Sequence, residues 1–245
     1  MAQPMPAPLA VLDHATDDRE AISDPSIRRV AARFREFLEA LGLDMNDPNL
    51  SGTEWRVARA FRELFAGFYA GAEPALRTFP NTDGYSEIVA VTDIPFHSLC
   101  AHHFLPFSGT AHLAYMPQER LVGLSKLARV VDFYARRPQL QERMTEQIAE
   151  IIEKRLHPAG AMVVIQARHF CMEMRGVAKA GMTTITSAIR GVFEDERSRQ
   201  KFLALLPLRP GVPIAPESLG GAGGPAVWIG HWSPGTRQWR KTPEY

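Results

Sequence analysis

Hydrophobic positions near the start of the chain recur at helical spacing. Asp24 is a candidate N-cap, Pro25 suits the first helical position, and Gly42 suits the end of the helix. A second helix is predicted to begin at Ser51, because Glu54 three residues later completes a capping-box pattern. The apolar stripes of the two helices are Ile27, Val30, Ala31, Phe34, Phe37, Leu38 and Leu41, and Val57, Ala58, Phe61, Leu64, Phe65 and Phe68.

Further along the chain, the apolar period changes between alternation and helical spacing. Alternation predicts four strands, over residues 87–94, 109–116, 161–172 and 182–193. Helical spacing predicts one helix from Ser125, a longer helix over residues 139–156 and a short helix over residues 194–205. Two helices between two pairs of strands indicate the α+β class with an antiparallel sheet.

The two ends of the chain differ in composition from its centre. Residues 1–24 are rich in Pro, Ala and Asp without periodicity, and we expect them to be a flexible leader. Residues 206–245 form a tail rich in Pro, Gly and Trp, for which we predict no regular element. Its three tryptophans could instead anchor it to the folded body or to a neighbouring subunit. The predicted domain therefore spans residues 25–205, with N-terminal helices in 25–70 and the core in 85–205.

Composition narrows the classes of function. The chain has 245 residues, 45% hydrophobic and 22% charged, which excludes global disorder. Lysine plus arginine is 28 and aspartate plus glutamate is 27, so a net charge of +1 provides no overall attraction to nucleic acid or an anionic membrane. Residues 1–25 lack the basic and long apolar segments of a signal peptide. We therefore expect a cytoplasmic chain whose two cysteines are reduced.

Both cysteines have a histidine nearby. Cys100 and His103 have C-x-x-H spacing, which allows one turn to present a thiolate and an imidazole to one metal, and Cys171 would approach from a distant strand. Three ligands leave one position of a tetrahedral zinc ion open for water. His102 and His169 would then transfer protons, or one of them would orient a ligand. Packing cysteines or a structural zinc ion are the alternatives.

A second group of residues could bind a polyanion and a base. The helix start at Ser125 favours phosphate, and basic residues occur there and elsewhere in the chain. Each cation alone is also typical of a solvated surface. Glu142, which follows Gln141, could accept hydrogen bonds from the edge of guanine or complement a helix dipole. The candidate phosphate-binding cations are Lys126, Arg129, Arg175, Arg56 and Arg59.

Several of these motifs together resemble the GTP cyclohydrolase I family. The resemblance lies in residues 98–107, 123–129, 137–143 and 169–176, and it extends over about 27–205. It implies the tunnelling fold (T-fold): a four-stranded antiparallel sheet with two long helices on one face, preceded by an N-terminal helical segment. It also implies a homo-oligomer, a decameric ring with active sites between subunits.

The resemblance implies a role for each matching residue. Catalytic zinc would be bound by Cys100, His103 and Cys171. The catalytic residues would be His102 and His169, which transfer protons, and Ser125, which lies near the ribose. The triphosphate would be held by Lys126, Arg129, Arg175, Arg56 and Arg59. Guanine would be bound by Glu142, supported by Gln141.

The implied activity is zinc-dependent hydrolysis of GTP. Formate is released and the remainder rearranges to 7,8-dihydroneopterin triphosphate, the first step of tetrahydrofolate and pterin biosynthesis. One departure is Ala101, where the family usually has Glu. It motivates an alternative, a non-catalytic GTP-binding ring protein. A further alternative is a cyclohydrolase that feeds a 7-deazapurine or another specialised pathway.

Overall fold

The computed structural model describes residues 24–69 and 73–206, together with the backbone of two strands at 227–233 and 238–241. The chain divides into two compact units, one ending at Glu63 and one beginning at Leu64. Of the predicted leader, residues 1–23 lie outside the described residues.

The first unit contains helices α1 (Pro25–Ala40) and α2 (Thr53–Leu64), the last residue of which begins the second unit. The Asp24 side chain accepts a hydrogen bond from the backbone N–H of Ser26 at 2.7 Å, so the predicted N-cap is confirmed. The second helix begins at Thr53 rather than Ser51, because residues 50–52 form a turn in which Gly52 has a φ of +73°.

Only part of the predicted stripe on α1 is buried. Ile27 and Ala31 pack against Ala58 of α2 in a small apolar cluster, with Trp55 at its edge. Three other members of the stripe are exposed: Val30, Phe37 and Leu41.

The second unit contains one large sheet and a smaller two-stranded sheet in which residues 78–80 pair with residues 120–122. Its helices are α3 (Ala66–Tyr69), α4 (Leu124–Ala135), α5 (Gln141–Leu156), α6 (Phe170–Glu173) and α7 (Glu196–Leu205). Its strands are β1 (Thr78–Pro80), β2 (Val89–Cys100), β3 (Pro106–Met116), β4 (Arg120–Val122), β5 (Pro138–Gln139), β6 (Gly160–His169), β7 (Thr183–Gly191), β8 (Val227–Ser233) and β9 (Gln238–Lys241).

The predicted α+β class with an antiparallel sheet is confirmed. Strands β2, β3, β6 and β7 are antiparallel neighbours and correspond to the four predicted strands. The described sheet is larger, however, with seven strands in the order β5-β2-β3-β6-β7-β8-β9. Strand β5 adds two residues parallel to the end of β2, and the β8–β9 hairpin extends the sheet beyond β7.

Two core clusters lie on opposite faces of the sheet. Alternate residues of β3 and β6, such as Leu113 and Val163, are completely buried with residues of α4 and α5. The residues between them, such as Ala114 and Met162, pack with Phe202 of α7. Burial of each such large side chain stabilises the fold by about 1.5–3 kcal/mol. The two longest helices of this unit, α4 and α5, therefore share one face, as predicted.

Strand β2 is longer than predicted and contains a β-bulge. The pairing shifts between Val91 and Ile94, where three steps along β2 match two along β3, and Asp93 adopts a left-handed φ of +55°. Beyond the bulge the strand continues to Cys100. The predicted end at Ile94 is wrong because the bulge interrupts the alternation that defines a strand in the sequence.

The predicted absence of regular elements in the tail is wrong for two segments. Strand β8 pairs antiparallel with β7, and β9 pairs with β8. Strand β7 would otherwise be an edge with unpaired backbone groups, and β8 supplies partners for them. The side chains of the three tryptophans lie outside the described residues, so their anchoring role stays a prediction.

A helix that spans a membrane needs a minimum length and apolarity. Within residues 24–69 and 73–206, no helix is long and apolar enough to cross a membrane.

Candidate metal centre and active site

Cys100 is the last residue of β2, and the turn after it is held by backbone hydrogen bonds. The N–H groups of His103 and Phe104 donate to the Cys100 carbonyl at 3.3 and 2.8 Å, and the Cys100 N–H donates to Leu105 O at 2.9 Å. Phe104 adopts a φ of +55°, which closes the turn. The Cys100 side chain is 6% exposed, whereas His102 and His103 are exposed. The turn therefore presents two imidazoles beside a buried sulfur atom.

Three side chains form a group that could hold a metal ion. The ligand atoms of Cys100, His103 and Cys171 all lie within 4.8 Å of one another, with Cys100 Sγ 3.8 Å from His103 Nδ1. Ligands of a tetrahedral zinc ion lie about 3.6–3.8 Å apart, so small side-chain movements would complete the geometry. Two sulfur atoms and one imidazole nitrogen are also ligands that zinc prefers.

The surroundings of Cys171 favour its neutral thiol in the absence of a metal ion. Burial and the neighbouring Cys100 thiol raise the pKa of Cys171, and the charge of Arg175 opposes the rise. Without a cation, two negative sulfur atoms at this spacing would repel each other. The positive charge of a divalent ion would offset this repulsion, since cysteine ligands bind a metal in their deprotonated form.

The prediction that Cys171 lies on a strand is wrong, because this residue lies on the short helix α6. Strand β6 ends at His169, and the next residues turn so that Cys171 approaches Cys100. Arg168 and Glu173 form a bidentate pair across this turn, with Arg168 Nε 2.8 Å from Glu173 Oε1. The Glu173 side chain is only 7% exposed. This pair restrains the segment that carries both His169 and Cys171.

His102 lies beside the same sulfur atom as His103. Its Nδ1 is 3.8 Å from Cys100 Sγ, although the group of three potential ligands contains His103. The Nδ1 atom of His103 lies at the same distance from this sulfur atom, and the role of His102 in proton transfer stays a prediction.

His169 is held on two sides. Its ring stacks on Phe107 with centroids 4.7 Å apart and planes 3° apart, and its Nε2 lies 2.8 Å from Gln141 Oε1. Burial lowers the pKa of His169, and the negative charges of Glu142 and Glu173 oppose this shift. The imidazole is therefore mainly neutral at neutral pH, the state in which it can accept a proton.

Gln141 and Glu142 occupy the first turn of α5. The Gln141 side chain is 1% exposed, and its amide nitrogen donates to groups on β6 and β7. Its amide is thus committed within the protein, next to His169. Glu142 is half-buried and close enough to His169 to influence its pKa. The structure therefore brings Glu142, Gln141 and His169 together.

The predicted cations are distributed over different elements. Arg175 is close enough to Cys171 to affect its pKa. Within residues 73–206, no hydrogen bond or ion pair described for α4 joins Ser125, Lys126 or Arg129 to the Cys-His group. Ser125 and Arg129 are exposed, and Lys126 is half-buried.

Arg56 and Arg59 lie in the first unit, on α2. The Arg56 guanidinium donates to Ser51 O at 3.0 Å and to Thr53 Oγ1 at 2.8 Å. Their predicted contribution to a triphosphate site stays a prediction.

Comparison with known proteins connects this site to a family. The sequence profile of GTP cyclohydrolase I matches residues 30–207, well over half of the chain. The chain belongs to the GTP cyclohydrolase I family. The resemblance inferred from the Cys-His and basic motifs is therefore confirmed.

Curated members of the GTP cyclohydrolase I family are similar over nearly their whole length. GTP cyclohydrolase 1 of Thermoanaerobacter pseudethanolicus is 47% identical over 180 residues, covering 73% of this chain and 95% of the relative. GTP cyclohydrolase 1 of Clostridioides difficile is 49% identical over 183 residues, covering 74% and 96%. Among solved structures, an archaeosine synthase QueF-Like in the apo form has a TM-score of 0.37 at 17% identity, covering 43% of this chain and 94% of that one. A similarity that low carries no argument.

Sequence reasoning missed three residues that shape this site: Phe107, Arg168 and Glu173. Phe107 faces His169 only because β3 and β6 pair with these residues in register. Arg168 and Glu173 flank Cys171 with opposite charges, a signal that was present in the sequence but too common to interpret alone.

Proposed function

We propose that the protein is a zinc-dependent GTP cyclohydrolase I that forms 7,8-dihydroneopterin triphosphate and formate from GTP. The observation that carries the proposal is the convergence of Cys100, His103 and Cys171 beside His102, in a chain that belongs to this family. A zinc ion bound by these three residues supplies a Lewis acid that makes water nucleophilic near neutral pH.

The remaining steps are assigned to side chains of the chain itself. Water adds at C8 of the guanine, and His102 protonates the ring nitrogen that leaves. A second hydration releases C8 as formate. The ribose then opens, rearranges to a ketone and condenses with the exposed amine with loss of water. Ser125 and His169 assist these later proton transfers, and the neutral state of His169 suits a base.

Substrate binding is assigned to charge and hydrogen-bond complementarity. Glu142 accepts hydrogen bonds from the ring N–H and amino group of guanine, a pair of donors that adenine lacks. A net charge of +1 means that the triphosphate needs local cations. These are Lys126, Arg129, Arg175, Arg56 and Arg59.

The proposal includes an assembly and a pathway. The chain adopts the tunnelling fold and forms a homo-oligomeric, decameric ring with active sites between subunits. A site between subunits would allow the cations of α2 and α4 to reach a triphosphate bound near another subunit's Cys-His group. The product would enter tetrahydrofolate and pterin biosynthesis.

A matched pair of variants tests the assignment of the two adjacent histidines. The purified, zinc-loaded protein is incubated with GTP, and zinc content, GTP binding, formate and the oxidised pterin are measured. We expect equal amounts of formate and neopterin from the unaltered chain. His103→Ala should lose zinc, whereas His102→Ala should keep zinc and GTP but release formate about 10²–10⁴-fold more slowly. Full formate release by His102→Ala would contradict the assignment.

The alternative of a non-catalytic GTP-binding ring protein rests on Ala101. In the structure the backbone N–H of Ala101 donates to Gln139 O at 2.9 Å, so the turn depends on the backbone at this position. Zinc and GTP binding without formate would favour this alternative. Formate without pterin would indicate that the ring opens but closure follows another course, as a specialised pathway would require.

A further inference from the structure

The side-chain amide of Gln141 has one possible orientation. Its nitrogen lies 3.1 Å from each of Ile165 O, Thr184 O and Thr186 Oγ1. Two of these acceptors are backbone carbonyls, which cannot donate a hydrogen bond. The NH₂ group must therefore face them, since a reversed amide would put its oxygen against two carbonyl oxygens.

Two hydroxyl groups complete a directed network around this amide. Thr145 Oγ1 donates its single proton to Gln141 O at 2.8 Å. Thr186 must then donate to Thr145 Oγ1 at 2.6 Å, and it keeps a lone pair for the Gln141 NH₂ group. Gln141, Thr145 and Thr186 are 1%, 1% and 2% exposed, so water does not compete for these bonds.

The orientation of the amide determines which nitrogen of His169 carries a proton. With its NH₂ group committed, Gln141 presents Oε1 to His169 Nε2 at 2.8 Å. A carbonyl oxygen can only accept, so Nε2 must donate. In a neutral imidazole the lone pair then resides on Nδ1. The parallel stack on Phe107 holds the ring in this plane.

We infer that Gln141 is a positioning residue that fixes the Nε2–H tautomer of His169, so that Nδ1 is the atom that exchanges protons with the substrate. This inference rests on the proposed function, in which His169 assists the later proton transfers. It also changes the role of the Gln141 side chain, which acts on His169 rather than on guanine.

A matched pair of variants tests the inference on the full-length, zinc-loaded chain. Gln141→Met removes the acceptor for His169 at similar side-chain length. Gln139→Met is the control, because Gln139 is also 1% exposed and its amide is also fully engaged, with Tyr134, Gln147, Leu140 and Arg143 rather than with His169.

The first measurement is spectroscopic and needs no substrate. In ¹⁵N-histidine-labelled protein in slightly alkaline solution, long-range ¹H–¹⁵N correlations identify which ring nitrogen is protonated, and loss of signals in His169→Asn assigns them. We expect the Nε2–H form in the unaltered chain and in Gln139→Met, and a mixture of tautomers in Gln141→Met.

The second measurement separates kcat from KM for GTP. Gln141→Met should lower kcat about 10–100-fold with little change in KM. Both glutamine variants should lose comparable stability to heat, but Gln139→Met should keep its kcat. A purely structural role would instead lower kcat equally in the two Met variants.

Two results would overturn the inference. One is a proton on Nδ1 of His169 in an active, unaltered protein, and the other is an unchanged kcat in Gln141→Met. Absence of turnover in the unaltered chain is a different result: it contradicts the proposed function, and with it the catalytic part of the inference.

Discussion

Arg168 and Glu173 are joined by two parallel hydrogen bonds across the turn that contains Cys171. The Glu173 side chain is largely withdrawn from water, with 7% exposed, while the Arg168 side chain is 55% exposed. A bidentate pair in this setting is stronger and more directional than a surface ion pair. The pair therefore contributes to the position of the Cys171 sulfur atom relative to Cys100.

Glu173→Ala should weaken zinc binding by about 10-fold, because the turn that presents Cys171 loses its restraint. Competition with a chromophoric chelator measures the affinity. The control is Glu36→Ala, which breaks an exposed ion pair with Arg33. In that pair the side chain of Arg33 is 75% exposed and that of Glu36 is 59% exposed. Equal zinc affinity in both variants would show that the pair does not support the metal group.

Cys171→Ser should abolish stoichiometric zinc binding, since it removes one of three ligands while leaving the surrounding fold. Ser125→Ala is the companion variant, and it should retain one zinc ion per chain but turn over GTP about 10²-fold more slowly if Ser125 assists proton transfer. Metal analysis and formate release separate the two effects. A zinc-containing Cys171→Ser protein would exclude Cys171 from the ligand set.

Phe107→Leu and Phe193→Leu should each lower the free energy of unfolding by about 1–2 kcal/mol. Both phenylalanines are 0% exposed and each makes an edge-to-face contact with another aromatic ring. Only Phe107 stacks on His169, so only Phe107→Leu should also lower kcat. Urea unfolding and steady-state kinetics test this pair. Similar loss of kcat in both variants would mean that general loosening, not the stack, is responsible.

Removal of residues 207–245 should leave zinc binding and GTP turnover intact. The family match ends at residue 207. Backbone amides of β7 that pair with β8 should exchange faster with deuterium in the shortened chain, because this edge loses its partner. Loss of zinc on truncation would contradict the expected independence of the site from the tail.

Much of the fold could be predicted from local patterns. The four central strands and the helices α4 and α5 follow from the change between alternating and helical spacing. The end of β2 could not be predicted, because the extra residue at the bulge breaks the alternation that marks a strand. The strands in the tail were hidden by its many proline and glycine residues, which suggested an irregular chain.

The metal group was accessible to sequence reasoning, but its surroundings were not. Cys100 and His103 have a local spacing that is typical of a ligand pair, and Cys171 was added because it also has a histidine nearby. The contacts of Gln141 with Ile165 and Thr186 span 24 and 45 residues, and they depend on how α5 lies on the sheet. Nothing local in the sequence distinguishes such a glutamine from one that binds substrate.

The single extra residue in β2 changes which residue numbers along the strand face α4 and α5. Before the bulge, the residues that face α4 and α5 are odd, Val89 and Val91; after it they are even, Ile94, Phe96 and Cys100. The pairing partners on the two sides of the bulge, Leu113 and Ala111, lie in the same core, so both halves of β2 keep the same face. The bulge therefore absorbs one extra residue without turning Cys100 away from the face on which Cys171 packs.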